Sequence, residues 1–192
     1  MQAILAANDN ARSPASGRAS YSGDVEWYTP ARYIELARQV MGAIDVDPAS
    51  NDLAQQTVRA ATYYTAETNG LDEEWRGKVW MNPPYDRKLI KRFINKMVEE
   101  YTSGRCTEAV VLVNNNTDTR WAALLFDNAG AHCFTRGRIR FVSPTRGCPS
   151  SLPQGQWFSY FGRHPDKFSS VFREVGHIVT PCNDNIGCAQ AS

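Results

Sequence analysis

Apolar residues recur along this chain with two periods, and the switches between them mark its elements. Tyr33, Ile34, Ala37, Val40 and Met41 fall at three- and four-residue spacing, which predicts a helix with one buried face. Thr29 and Pro30 stand where that helix starts, with Thr29 as the cap and Pro30 at the first helical position. Gly42 ends it. The clearest helical run covers 88–103, where Leu89, Ile90, Phe93, Ile94, Met97, Val98 and Tyr101 share a face and Gly104 closes the run. Shorter helices are expected from Asn51 to Ala60, from Trp121 to Phe126 and after His164. Between them lie short apolar runs of strand length: Ala43–Val46, Val79–Met81, Ala109–Val113, Ala131–Phe134, Ile139–Val142 and Trp157–Phe161, with weaker ones at Thr62–Thr65 and His177–Val179.

Alternating strands and helices imply a sheet covered on both faces. The chain therefore reads as one α/β domain over residues 24–180, with a mainly parallel sheet. An antiparallel strand is expected near its C-terminal end, Trp157–Phe161 pairing back on Ile139–Val142. Residues 1–23 lack periodicity and read as a flexible arm, 143–155 as a Pro-, Gly- and Ser-rich loop, and 181–192 as a disordered tail.

Composition narrows the class. A chain of 192 residues suits one domain with a real core, and 42% apolar with 21% charged residues is ordinary for a globular protein. The net charge of +1 exerts no bulk pull on nucleic acid, so any DNA contact must come from a local basic face. Arg136, Arg138, Arg140 and Arg146 are the densest such group. Strand alternation puts Arg138 and Arg140 opposite Ile139 and Phe141. We read that pattern as a phosphate-contacting edge; the alternative is a charged edge strand that blocks aggregation. No apolar run is long enough to span a membrane, and no secretory signal is visible at the N-terminus. Cys106, Cys133, Cys148, Cys182 and Cys188 form no Cys-x-x-Cys pair, which reads as reduced cytosolic thiols with neither a disulfide frame nor a metal site.

One stretch does not fit a purely structural reading. Val79-Trp80-Met81 runs directly into Asn82-Pro83-Pro84-Tyr85. Neither proline can donate to a ladder, and each restricts the residue before it to an extended conformation. The strand thus exits through a stiff bend that presents a carboxamide, a backbone carbonyl and an aromatic ring. In open α/β sheets ligands bind at the carboxyl ends of strands. Two acceptors held there can each take an N–H of an exocyclic amine and free its lone pair, while Tyr85 can stack on the base, worth roughly 1–3 kcal/mol.

Asn82-Pro83-Pro84-Tyr85 resembles the catalytic motif of S-adenosyl-L-methionine-dependent amino-methyltransferases. Glu26-Trp27-Tyr28-Thr29-Pro30, Asp45-Val46-Asp47-Pro48-Ala49-Ser50, Thr117-Asp118-Thr119-Arg120-Trp121 and Arg136-Gly137-Arg138-Ile139-Arg140-Phe141 are similar, in the same order, to the phage-type DNA N6-adenine methyltransferases, Dam-like enzymes. The resemblance covers roughly Glu26 to Phe161. It implies a Rossmann-like class I methyltransferase fold and methyl transfer to N6 of a flipped-out adenine in DNA, in the cytoplasm of a bacterial host and from a phage or prophage gene. It implies catalytic roles for Asn82, Pro83, Pro84 and Tyr85. Tyr28, Thr29, Pro30, Asp47, Pro48, Ala49, Ser50 and Asn69 would hold the cofactor, and Asp118, Arg138, Arg140 and Phe141 would contact substrate. The cofactor loop departs from the general pattern, having Ala49 and Ser50 in place of a Gly-x-Gly. The same four catalytic residues also serve RNA adenine or protein glutamine, and the glycine-free loop admits a non-catalytic DNA-binding descendant. No separate target-recognition domain fits between or after the motifs, so target contacts are expected from loops.

Overall fold

The computed structural model describes residues 28–142, the backbone of 149–151, and 154–182. The arm, Glu26-Trp27, Arg146, Cys148, Cys188 and all but the first two tail residues lie outside that range. The described helices are α1 (Ala31–Met41), α2 (Asp52–Val58), α3 (Leu89–Thr102), α4 (Arg120–Asn128) and α5 (Pro165–Phe172). The strands are β1 (Val46–Asp47), β2 (Thr62–Tyr63), β3 (Gly77–Met81), β4 (Cys106–Asn114), β5 (Ala131–Thr135), β6 (Arg140–Val142), β7 (Pro149–Ser151), β8 (Gln156–Phe161) and β9 (Gly176–Val179).

Seven strands form one sheet in the order β2-β1-β3-β4-β8-β5-β9, and β6 and β7 form a separate hairpin. The ladders β1–β2, β1–β3 and β3–β4 are parallel, while β8 is antiparallel to both β4 and β5, and β9 to β5. Five strands therefore point one way and two reverse. This is the α/β class expected from the alternation of elements, in the Rossmann-like form that the resemblance implies.

The partner expected for Trp157–Phe161 is corrected. These residues do not pair with Ile139–Val142; β8 is inserted between β4 and β5, with Ala109 opposite Phe161 and Asn114 opposite Gln156. All six β8 residues are buried, and a strand buried on both faces belongs in the middle of a sheet. In contrast, β6 alternates exposed, buried, exposed, which suits a two-stranded ribbon pairing with β7.

Side-chain alternation along the central strands builds two cores, one on each face. Trp80, Val110, Leu112, Phe158 and Tyr160 face α1 and α5. Val79, Met81, Val111, Val113, Trp157 and Phe161 face α3 and α4. Fully buried Trp and Phe side chains such as Trp80, Trp157 and Phe158 are each worth about 3–5 kcal/mol against truncation to alanine. That packing fixes the sheet whose carboxyl ends carry the motifs.

The start of α1 is also corrected. Its N-cap is Pro30, with φ −56° and ψ 141°, and no side chain caps it. Thr29 lies one residue before the cap, and its hydroxyl is used elsewhere. Gly42, at φ 84°, closes α1 in the left-handed conformation that favours glycine, its N–H donating to Arg38 O.

Candidate active site

Parallel register sets the geometry. Val46 lies opposite Val79, and Met81 opposite Val111. The chain segments after Asp47, after Met81 and after Asn114 therefore leave the sheet at the same edge, as neighbours. This places the Asp47–Ser50 loop beside the Asn82–Tyr85 bend.

Within the bend, Pro83 is buried while Asn82, Pro84 and Tyr85 are partly exposed. The Tyr85 hydroxyl donates to Asn82 Oδ1 at 2.9 Å. Asn82 Nδ2 donates to Thr29 Oγ1 at 3.3 Å. The carboxamide is thus held at both ends, and one lone pair of Oδ1 remains for another donor. Burial pushes the Tyr85 phenol above its ordinary range, so it stays protonated and able to donate.

Asp47 is only 3% exposed. It accepts from Gln55 Nε2 at 3.0 Å and from Ala49 N at 3.4 Å, and Ser50 also bonds it. Burial pushes its carboxyl up to about 6, against the lowering effect of these neutral donors. Gln55 also donates to Ser50 Oγ at 2.7 Å and accepts from Ala60 N at 2.9 Å, so one side chain of α2 shapes the whole loop. Asn51 caps α2 by accepting from Ala54 N at 2.9 Å. On the other side of the loop, a Cβ at Gly70 would come within 2.2 Å of Pro48 O, so the backbone of the 64–76 crossover packs directly on Pro48.

The segment Tyr28–Thr29 ties this site together. Tyr28 and Val142 exchange backbone hydrogen bonds of 2.9 and 3.0 Å, and the Tyr28 hydroxyl accepts from Asn51 Nδ2 at 3.2 Å. The arginine-bearing hairpin therefore lies against the same segment that holds Asn82. Arg138 and Arg140 are exposed, and Ile139 and Phe141 are fully buried opposite them.

Residues 18–156 match the DNA N-6-adenine-methyltransferase (Dam) family. The chain belongs to this family. A DNA N-6-adenine-methyltransferase of Escherichia phage T1 is 28% identical over 137 residues, covering 63% of this chain and 55% of that protein. The alignment thus spans just over half of the phage relative's length.

For this Dam-family chain, several residues in or near the motifs sit in structural roles. Phe141 packs in the core with Ile139 and Phe158; with no exposed surface its ring offers no face to a base, which corrects the substrate contact expected for it. Asn69 sits in the left-handed region at φ 46°, which asparagine tolerates better than most residues, and its amide donates to Asp72 within a turn. Asp45 accepts from Lys78 N at 2.7 Å, which commits it to joining β1 to β3. Asn114 is buried and accepts from Gln156 Nε2 at 3.3 Å. Asp118 is exposed in the turn before α4, whose cap is Thr119, accepting from Ala122 N. Arg136 donates to the carbonyls of Arg173 and Gly176, so it anchors the chain and leaves Arg138 and Arg140 as the outward pair.

Sequence reasoning passed over Gln55, Asn51, Gly70 and Gln156. Gln156 accepts from Ile139 N at 3.0 Å while donating to Asn114 and Gln154, and so seats the root of the arginine hairpin on the end of β4. Glutamine in a helix or at a strand start is too common to signal such work. Asn51 ahead of an apolar–polar helical run was a readable cap signal. The buried thiols Cys106 and Cys133 are free, and burial pushes both up to about 12, so neither is a poised nucleophile. Among the described residues, no helix is long and apolar enough to cross a membrane.

Proposed function

We propose that this chain transfers a methyl group from S-adenosyl-L-methionine to N6 of an adenine in DNA. One observation carries the reading: a carboxamide at the carboxyl end of β3, braced from both ends by Thr29 and Tyr85, beside a buried carboxyl at the end of β1. Family membership supports the substrate class.

The donor set after β1 fits the cofactor. Asp47 offers a carboxylate to its ammonium or ribose hydroxyls. The start of α1, which no side chain caps, offers N–H groups to its carboxylate. Small Ala49 and Ser50 let the backbone come close without a glycine. When bound, the cofactor supplies an electrophilic sulfonium methyl group.

The chain's own residues prepare the amine. The adenine must leave the stack before N6 can be reached. Asn82 Oδ1 and the Pro83 carbonyl accept its two N–H groups, which draws the nitrogen out of the ring plane and exposes its lone pair. Tyr85 lies against the face of the base. After transfer, N6 releases one of its protons to solvent. Arg138 and Arg140 contact phosphate near the flipped nucleotide, and Asp118 sits where the loop after β4 meets the target strand.

The test is direct. Purified protein is incubated with cofactor and unmethylated duplex DNA, and nucleosides are analysed by mass spectrometry; N6-methyladenine is expected in the DNA. Methyl transfer confined to RNA or to glutamine peptides in parallel reactions refutes the substrate. A second measurement addresses the hairpin. Replacing Arg138 and Arg140 with alanine removes two phosphate contacts. The slope of log affinity against log salt should then fall by about 2, read by fluorescence anisotropy, with little change in cofactor binding.

A further inference from the structure

Thr29 has every local reason to be a helix cap and is not one. Pro30 holds the cap position, and no side chain caps α1. The Thr29 hydroxyl instead reaches across 53 positions of sequence to the Asn82 amide nitrogen at 3.3 Å. From this geometry we propose that Thr29 is a positioning residue for the reaction: it takes the NH2 end of the Asn82 carboxamide and thereby aims the oxygen end at the target amine. The proposal deepens the adenine-methyltransferase reading and rests on it.

The chemistry makes the orientation matter. A primary amide is nearly symmetric in shape, and a rotation of 180° exchanges its oxygen and NH2 ends. Only the oxygen-forward state accepts an N–H from adenine. The reversed state presents N–H to N–H and leaves the amine's lone pair in the ring. Tyr85 donates to Oδ1, and Thr29 occupies Nδ2, so together they hold the productive state. Thr29 can serve as a fixed reference because its neighbours are pinned. Tyr28 is bonded through its backbone to Val142 and through its hydroxyl to Asn51. Pro30 locks its own φ and its carbonyl accepts from Tyr33 N at 3.0 Å.

Thr29→Val keeps the branched shape and removes the acceptor. We expect the single-turnover methylation rate at saturating cofactor and DNA to fall about 10- to 100-fold. KM for DNA should stay within about two-fold, any change in Kd for S-adenosylhomocysteine should be several-fold smaller than the loss of rate, and Thr29→Ser should recover most of the rate. A readout independent of activity is the side-chain amide signal of Asn82 in a nitrogen–proton correlation spectrum, assigned by its loss in Asn82→Asp. In Thr29→Val that signal should move upfield and broaden as the amide gains rotation. A normal single-turnover rate overturns the proposal. So does a weaker cofactor Kd with the rate intact, which would make Thr29 a cofactor contact alone. If the wild-type protein makes no N6-methyladenine, the parent reading fails, and an Asn82 signal identical in wild type and Thr29→Val then rejects the positioning role on its own.

Discussion

Asn82→Ala is expected to lower single-turnover methylation by about 10²–10³-fold or more, while S-adenosylhomocysteine binds within about two-fold of wild type. The asymmetry follows from where the side chain sits. Asn82 belongs to the bend after β3, and its amide is bonded to Thr29 and Tyr85. Asp47, Ser50 and Gln55 form a separate hydrogen-bonded cluster after β1, and none of them bonds Asn82. Truncating Asn82 therefore removes an acceptor from the reacting nitrogen and leaves the cofactor loop standing. The fold should tolerate the change, because Asn82 is partly exposed and Pro83 and Pro84 still set the bend. Asn82→Asp sharpens the test. It keeps an oxygen at the same reach but has no N–H for Thr29, so it should retain more activity than alanine and less than asparagine. A rate unchanged in Asn82→Ala would remove the proposed chemistry from this bend.

The sequence displayed the Asn82–Tyr85 bend more plainly than its surroundings. Two prolines restrict the backbone by covalent geometry alone, so the stiffness of Asn82-Pro83-Pro84-Tyr85 is readable without knowing what packs around it. The helices were equally legible, since the apolar face of α3 is a local repeat. Strand partners were harder. Trp157–Phe161 and Ile139–Val142 are both apolar runs, and periodicity does not say which neighbour each takes. The burial of all six residues of β8, a product of the whole fold, sent it between β4 and β5. The same limit governs Thr29. A threonine before a proline reads locally as a cap, and only the sheet brings Asn82 within reach of it. Phe141 shows the converse: alternation with Arg138 and Arg140 did assign its face correctly, but whether that face meets a base or the core depends on α1 and β8, which pack around it.

Asp47 carries the second large effect, in the pH dependence of cofactor binding. Its carboxyl is buried, its partners Gln55, Ser50 and the Ala49 N–H are all neutral, and burial raises it from 3.8 to about 6. For a carboxyl raised in this way, the folded state holds a proton that the unfolded chain has already released. This group's contribution to stability is therefore full below about pH 4 and is lost as pH climbs to about 6. Above that, the buried charge costs about 3 kcal/mol. Asp47→Asn should accordingly melt higher than wild type at pH 7.5, with the gap closing as pH falls to 4. A cofactor that gives the carboxylate an ammonium or two hydroxyl donors favours the charged form. Its binding then competes with protonation, and affinity for S-adenosylhomocysteine should drop by up to about tenfold per pH unit below 6 and level off above it. In Asp47→Asn the affinity should be weaker at pH 7.5 and nearly flat from pH 5 to 7.5. Calorimetric titration across that range reads both curves. A wild-type affinity that does not change between pH 5 and 7.5 would mean that the cofactor does not meet Asp47, and would move its binding contacts to the start of α1 alone.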